Sequence, residues 1–112
     1  MKKRVTGIGG LFFKSKDPKA SKDWYNKHLG FNTDEYGSTF WWKDNEGNDC
    51  STQWSAFKAD TDYFNPSSKD FMFNYRVENL EELLKVLKEE GVTIVGDMET
   101  YDYGKFAWIL DN

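Results

Sequence analysis

The residues of this chain that could do chemistry are aromatic rings, amides and one arginine, spread over four predicted strands. Successive side chains of a strand point to opposite faces, so residues of one parity share a face. The face predicted to turn away from the helices carries Phe12, Thr52, Trp54, Met72, Asn74, Arg76 and Trp108. Rings beside an amide and a guanidinium are typical of a pocket that stacks on a planar molecule and holds a polar group. We therefore predict that these residues bind a ligand.

Two interpretations of this face stay open. The rings of Phe12, Trp54 and Trp108 either line a ligand cleft or belong to the core. A helix covers only one face of such a sheet, so the other face must either be buried against protein or hold a ligand. An inward Arg76 needs an anionic ligand group or a carboxylate partner, for which an acidic residue of segment 58–69 is the alternative. The aromatic rings predicted to pack against the helices as core are Phe13, Phe73 and Tyr75.

Nucleophilic and acid–base chemistry has little support in the sequence. His28 is the only histidine, and it is predicted at the end of the first helix, where a cation stabilises the helix terminus. Cys50 is the only cysteine and is predicted to be a small buried residue rather than a nucleophile. A single cysteine also fits a reducing compartment, so we expect a cytoplasmic location. Catalytic residues are not assigned, and whether the chain is an enzyme stays open.

The length and net charge of the chain limit the classes of protein to which it can belong. The chain has 112 residues and a mass of 13.1 kDa, which predicts a single domain over residues 1–112. A net charge of -4 argues against a nucleic-acid partner, which would require a basic surface. No apolar run is long enough to span a bilayer, so a membrane partner is not expected either.

An internal repeat organises the elements that must position these residues. Segments 36–45 and 103–112 share a Tyr-Gly pair, a Trp four residues after the Gly and a closing Asp-Asn. The repeat predicts a first module over about 4–60, a linker over about 58–69 and a second module over about 70–112. Each module reads as a strand, a helix and three further strands, except that the second lacks its last strand.

Local signals place the elements of each module. Asp17 and Asn79 are predicted to cap the two helices at their N-termini, and Gly30 and Gly91 to end them. Predicted strands cover 5–14, 31–36, 39–43, 49–57, 71–77, 92–95, 100–103 and 106–110. Glycines at positions 7, 9 and 10 predict a bulge in the first strand or a close approach to its backbone. The fold class is therefore α+β: two βαβββ modules forming curved mixed sheets with the helices on their outer faces.

This arrangement resembles the vicinal oxygen chelate superfamily of glyoxalase I, bleomycin-resistance proteins and extradiol dioxygenases. The resemblance spans nearly the whole chain and is carried by the sequences at 9–18, 24–25, 28–31, 76–80 and 104–112. In metal-dependent members, ligands lie on the first and last strand of each module. The resemblance puts Gly10, Thr52 (or Gln53) and Met72 at three of those positions and the fourth past Asn112. Because these are poor ligands for a hard divalent ion, we predict no metal and no cofactor, unless the register is shifted or ligands come from beyond this chain.

The function that follows is binding of a small hydrophobic or planar molecule in an aromatic cleft, by a homodimer. One alternative is a metal-dependent lyase or dioxygenase of the same superfamily, in which the metal would polarise substrate oxygens. A second alternative is a structural interaction module whose open sheet edge pairs with another strand.

Overall fold

A computed structural model describes residues 4–112 and confirms the α+β class. Within those residues the elements in chain order are β1 (Val5–Ser15), α1 (Pro18–Leu29), β2 (Ser38–Lys43), β3 (Asp49–Lys58), β4 (Phe71–Val77), α2 (Leu80–Glu89), β5 (Ile94–Tyr101) and β6 (Gly104–Ile109). The strands form one four-stranded sheet of order β2-β3-β1-β4 and one two-stranded sheet, β5-β6. The chain divides into two compact units: Gly7–Arg76, and Val77–Asn112 together with the described residues before Gly7.

The unit Gly7–Arg76 buries an aromatic core between α1 and the four-stranded sheet. Trp54 of β3 is only 7% exposed, and its ring centroid lies 4.7 Å from that of Tyr25 on α1. Phe13 of β1 and Phe31, just after α1, contact the same indole at 5.2 and 5.0 Å. Packed rings remove large apolar areas from water, so this cluster is the main stabilising contact between α1 and the sheet. We call the side of the sheet that carries Phe13 and Trp54 the α1 face.

The other unit joins α2 to the β5-β6 hairpin. The apolar stripe of α2 centres on buried Leu83, and the helix contacts β6. β5 and β6 are antiparallel, with an irregular register between Val95 and Glu99. The guanidinium of Arg4 donates two hydrogen bonds of 2.9 Å to the carboxylate of Glu90, which follows α2. This ion pair ties the residue before β1 to the end of α2.

The helix termini follow the predictions made from local sequence. The Asp17 carboxylate accepts a hydrogen bond from the N–H of Ala20 at 3.1 Å, and Gly30 ends α1 with a φ of 69°. At α2 the side chain of Asn79 accepts from the N–H of Glu82, also at 3.1 Å. Both N-caps satisfy backbone donors that the helix itself leaves unpaired.

The predicted strand over 31–36 is wrong. Only an isolated bridge joins Asp34 to Gly37 there. The Asp34 carboxylate accepts the N–H groups of Tyr36 and Gly37 at 2.8 and 3.1 Å, which closes a turn in place of a strand. Residues 59–70, by contrast, form neither helix nor strand, and Phe64 in this segment is only 3% exposed.

The prediction that Phe73 and Tyr75 are core is also wrong. Each side chain is 53% exposed, and Phe71 on the same side of β4 is 48% exposed. Alternation within β4 gives these residues one face, but it carries no information about which element covers that face.

Among residues 4–112, no helix combines the length and apolarity that crossing a membrane requires.

Candidate functional site

A tryptophan over the glycines of β1 is the centre of the candidate site. The Nε1–H of Trp42 donates to the hydroxyl of Thr52 at 2.9 Å, and that hydroxyl donates to the backbone carbonyl of Ile8. The guanidinium carbon of Arg76 lies 6.0 Å from the centre of the Trp42 ring. Asn74 lies beside Arg76, against Gly9. We call Trp42, Thr52, Asn74 and Arg76 the Trp42 cluster; all four side chains are half-buried.

The glycines of β1 make room for this cluster. A Cβ on Gly7 would lie 2.5 Å from Cη2 of Trp42, closer than real Cβ contacts allow. A Cβ on Gly9 would overlap the side-chain oxygen of Asn74 and would lie 3.2 Å from Cγ of Arg76. The prediction of a close approach to this backbone is thus confirmed, and what approaches is the indole, amide and guanidinium of the cluster itself.

Strand register decides which predicted site residues share a face. β1 and β3 are parallel, with Leu11 opposite Trp54 and Gly10 opposite Gln53. Thr52 and Trp54 therefore lie on the same side as Leu11 and Phe13, which is the α1 face. The prediction that Thr52 and Trp54 turn away from α1 is wrong, because the sequence contains no signal for the offset between two non-adjacent strands.

The remaining predicted residues do not join the cluster as one set. Phe12 lies on the opposite face, above Gly10, and makes an edge contact of 5.7 Å with Phe57. Met72 is half-buried on β4, in the parity of Asn74 and Arg76. Trp108 is half-buried on β6, opposite Val95, in the other unit.

Trp42 is the site residue that sequence reasoning missed. The repeat drew attention to Trp41, but Trp41 is 74% exposed and lies on the other side of β2. Two adjacent tryptophans on a strand must face opposite ways, so only one of them can share a face with Gly7 and Gly9. The glycines at 7 and 9 were the available signal, since a ring needs such a floor to lie on a strand.

The residues that the resemblance puts at the metal-ligand positions do not fit a divalent cation. Gly10 has no side chain, and the thioether of Met72 is a soft donor. The amide oxygen of Gln53 accepts from Thr39 at 2.7 Å, while its amide nitrogen donates to the carbonyl of Tyr36 at 3.2 Å. The Thr52 hydroxyl is engaged on both sides, as described above. Within residues 4–112, no group of three or more His, Cys, Asp or Glu side chains is placed to hold an ion.

A cleft elsewhere in the same unit is another place where a molecule could bind. Its volume is about 450 Å³, and it lies where β3 ends near the start of α1. The lining residues include Lys22, Glu35, Tyr36, Phe57, Lys58 and Asp60. Charged side chains of both signs line this cleft and most of them are exposed, so the cleft has no consistent preference for the charge of a ligand. The Trp42 cluster, in contrast, combines one cation, one amide and one ring.

A helix-backed sheet that carries a strand from each half of a repeated chain defines a class of fold that hosts several chemistries. The family model described as "Glyoxalase/Bleomycin resistance protein/Dioxygenase superfamily" matches residues 8–111. The chain belongs to that superfamily.

Comparison with solved structures supports the same fold. The chain is similar to the crystal structure of methylmalonyl-CoA epimerase from Mycobacterium tuberculosis, with a TM-score of 0.58 and 17% sequence identity. The similarity covers 96% of this chain and 82% of the epimerase chain. At that identity the likeness concerns the fold alone. No curated protein sequence matches the chain significantly.

Proposed function

We propose that this chain is a small-molecule-binding member of its superfamily that takes a planar, largely apolar molecule at the Trp42 cluster. The observation that carries the proposal is the set of half-buried groups gathered over Gly7 and Gly9: an indole, a hydroxyl, an amide and a guanidinium. A ring held in place by a hydrogen bond from its Nε1–H offers a rigid surface for stacking. Polar groups at its margin would fix the orientation of the ligand.

The proposal includes binding without a metal. Its support is the donor set at the positions that the resemblance implies for the ligands: a glycine, a thioether and an amide whose atoms are already hydrogen-bonded. A metal-dependent lyase or dioxygenase is the alternative. It requires a divalent ion held tightly enough to survive purification and to polarise substrate oxygens.

The test compares two adjacent tryptophans. Trp42→Leu removes the stacking ring, and Trp41→Leu removes an equal ring from the other side of β2 as a matched control. We expect planar naphthyl compounds to bind the native chain, and the dissociation constant to rise about tenfold or more in Trp42→Leu only, since a stacked ring contributes about 1–3 kcal/mol. Titrations followed by NMR of the tryptophan indole N–H signals measure this for each ring separately.

Equal losses in both variants, or none in either, would contradict binding at this cluster. The titrations are repeated after dialysis against a chelator and after addition of Mn²⁺, Zn²⁺ or Ni²⁺. Affinity that depends on one of these ions, together with metal retained in stoichiometric amount, would favour the enzymatic alternative.

A further inference from the structure

We infer that the molecule bound at the Trp42 cluster is a neutral carbonyl compound, whose carbonyl oxygen accepts a hydrogen bond from the side-chain amide of Asn74. This ligand class rests on the proposed function, since it describes the molecule bound at that same site. It defines the polar end of the ligand, which stacking on an indole leaves undefined.

The amide of Asn74 is held against β1 with one end turned away from the strand. Its Oδ1 occupies the space into which a Cβ on Gly9 would project, and its Cγ is 3.3 Å from that point. Its own Cβ is 3.2 Å from the point where a Cβ on Gly10 would lie. Packing on two glycines therefore fixes this half-buried side chain, and Nδ2 is the end of the amide farther from Gly9.

Asn74 is the member of the cluster whose donors are left for a ligand. Trp42 donates its Nε1–H to the Thr52 hydroxyl at 2.9 Å, and that hydroxyl donates to the carbonyl of Ile8. Arg76 already has interactions within the chain, one of them with the Trp42 ring. Among the side-chain hydrogen bonds of residues 4–112, none engages the amide of Asn74. A half-buried amide in this state is completed by a molecule that brings an acceptor.

A neutral carbonyl oxygen suits this donor better than a carboxylate does. An amide N–H and a carbonyl oxygen form the neutral hydrogen bond that backbone groups form throughout a protein. A carboxylate would bring a charge into a half-buried site, where it needs a cation as its partner. Arg76 already has partners within the chain, and the net charge of -4 repels anions at longer range. A neutral ligand meets neither cost.

The spacing of the glycines sets the size of the molecule. The Trp42 ring lies over Gly7, where a Cβ would be 2.5 Å from its Cη2, and the Asn74 amide lies over Gly9. These two glycines share a face of β1 and are two residues apart, which is about 7 Å along a strand. A bicyclic aromatic ring with a carbonyl substituent is long enough to reach from the indole to the amide.

The experiment compares 2-acetylnaphthalene, a neutral ketone, with 2-naphthoate, which carries a charge on the same ring. Dissociation constants are measured by NMR titration of the native chain, of Asn74→Asp and of Asn32→Asp. Asn74→Asp keeps the size of the side chain but replaces its donor with an acceptor. Asn32→Asp is the matched control, because it adds the same charge at an exposed position outside the cluster.

We expect the native chain to bind the ketone about fivefold or more tightly than the acid. Asn74→Asp should weaken ketone binding about tenfold, since the hydrogen bond is lost and two acceptors then face each other. Asn32→Asp should bind the ketone as tightly as the native chain does.

The outcomes separate the ligand class from the proposed function. If the native chain binds the acid as tightly as the ketone, or if both variants bind the ketone equally well, the carbonyl contact is overturned and the proposed function stands. Binding of neither compound at millimolar concentration overturns both. If Asn74→Asp does not fold, the carbonyl carbon of a ¹³C-labelled ketone is observed on the native chain. Its signal should move to higher chemical shift on binding, as in other hydrogen-bonded carbonyls, and a signal that does not do so contradicts the contact.

Discussion

At the scale of single residues, Trp54 shows that the register between β1 and β3 decides whether a side chain faces a ligand or is buried in the core. Its indole is 7% exposed and touches rings from β1, from α1 and from the segment after α1. We expect Trp54→Ala to lower the free energy of unfolding by about 3–5 kcal/mol, as for other large-to-small core changes. Trp41→Ala, at a side chain 74% exposed, should change it by no more than about 0.5 kcal/mol. Urea denaturation measures both, and similar values for the two would contradict the core assignment.

Gly7 is the residue on which the geometry of the Trp42 cluster depends most directly. A methyl group there would meet the Trp42 ring at 2.5 Å, so the ring must move. We expect Gly7→Ala to destabilise the chain by about 1–3 kcal/mol, a typical cost of overpacking, and to shift the Trp42 indole N–H signal in the NMR spectrum.

The control for Gly7 is Gly47→Ala. Gly47 has a positive φ of 83° and open space around its Cβ, so alanine there adds backbone strain without touching a ring. We expect the Gly47→Ala variant to be less stable than the native chain, while its Trp42 indole N–H signal stays in place. A Trp42 signal that moves equally in both variants would show that the shift reports lost stability rather than the overlap at Gly7.

At the scale of elements, local chemistry was predictable and long-range pairing was not. Asp17, Asn79 and Gly30 act on their own helix ends, so the helix starts and the end of α1 could be read from neighbouring residues. The strand predicted over 31–36 is absent because the Asp34 carboxylate accepts two backbone N–H groups and closes a turn, and these hydrogen bonds outweigh strand propensity.

The candidate site was predictable only in part for the same reason. Alternation within β4 placed Asn74 and Arg76 on one face, and both lie against Gly9 in the structure. Thr52 joins them through Trp42, but on the face opposite to the one predicted for it. The face of Thr52 relative to Phe12 depends on the offset between β1 and β3, which α1 and β2 separate in the chain, and no local pattern encodes such an offset.

The Arg4–Glu90 pair gives the second unit a pH-dependent contact between elements. Hydrogen bonds from the Arg4 guanidinium lower the pKa of Glu90 below the usual carboxyl value. A lowered folded-state pKa means that the contact stabilises the fold above the ordinary carboxyl pKa and is lost as the pH falls through the folded value. We expect the Glu90 carboxyl to titrate at higher pH in Arg4→Gln than in the native chain, measured by carbon-detected NMR.

The matched control for this titration is Lys88→Gln. It removes a positive charge from the last turn of α2 and leaves both Arg4 hydrogen bonds in place. Because the pair is exposed, its effect should also weaken at high salt. An equal rise of the Glu90 pKa in both variants would assign the shift to general charge rather than to the bond with Arg4.

At the scale of the whole molecule, the unusual feature is the number of large rings left at the surface. Phe71, Phe73 and Tyr75 form a row along β4, with ring centres 5.2 and 6.3 Å apart and each side chain about half exposed. Contiguous apolar surface of this kind is typical of an interface. β4 is also the last strand of its sheet in residues 4–112, and an edge strand of this kind is where a second chain can pair.

We therefore predict a homodimer in which β4 of one copy pairs edge to edge with β4 of the other, so that the two aromatic rows lie side by side. Paired antiparallel about Asn74, the two strands would set Phe73 of one copy opposite Tyr75 of the other, and such cross-strand aromatic pairs stabilise sheets. Sedimentation equilibrium should give twice the chain mass of 13.1 kDa for the native protein, and Phe73→Lys should raise the dimer dissociation constant about a hundredfold. Tyr103→Lys, at an aromatic side chain 78% exposed in the β5-β6 turn, is the control and should leave the dimer intact. A native chain that stays monomeric at all concentrations, or a dimer equally weakened by both changes, would rule out this interface and leave the row on β4 without a partner.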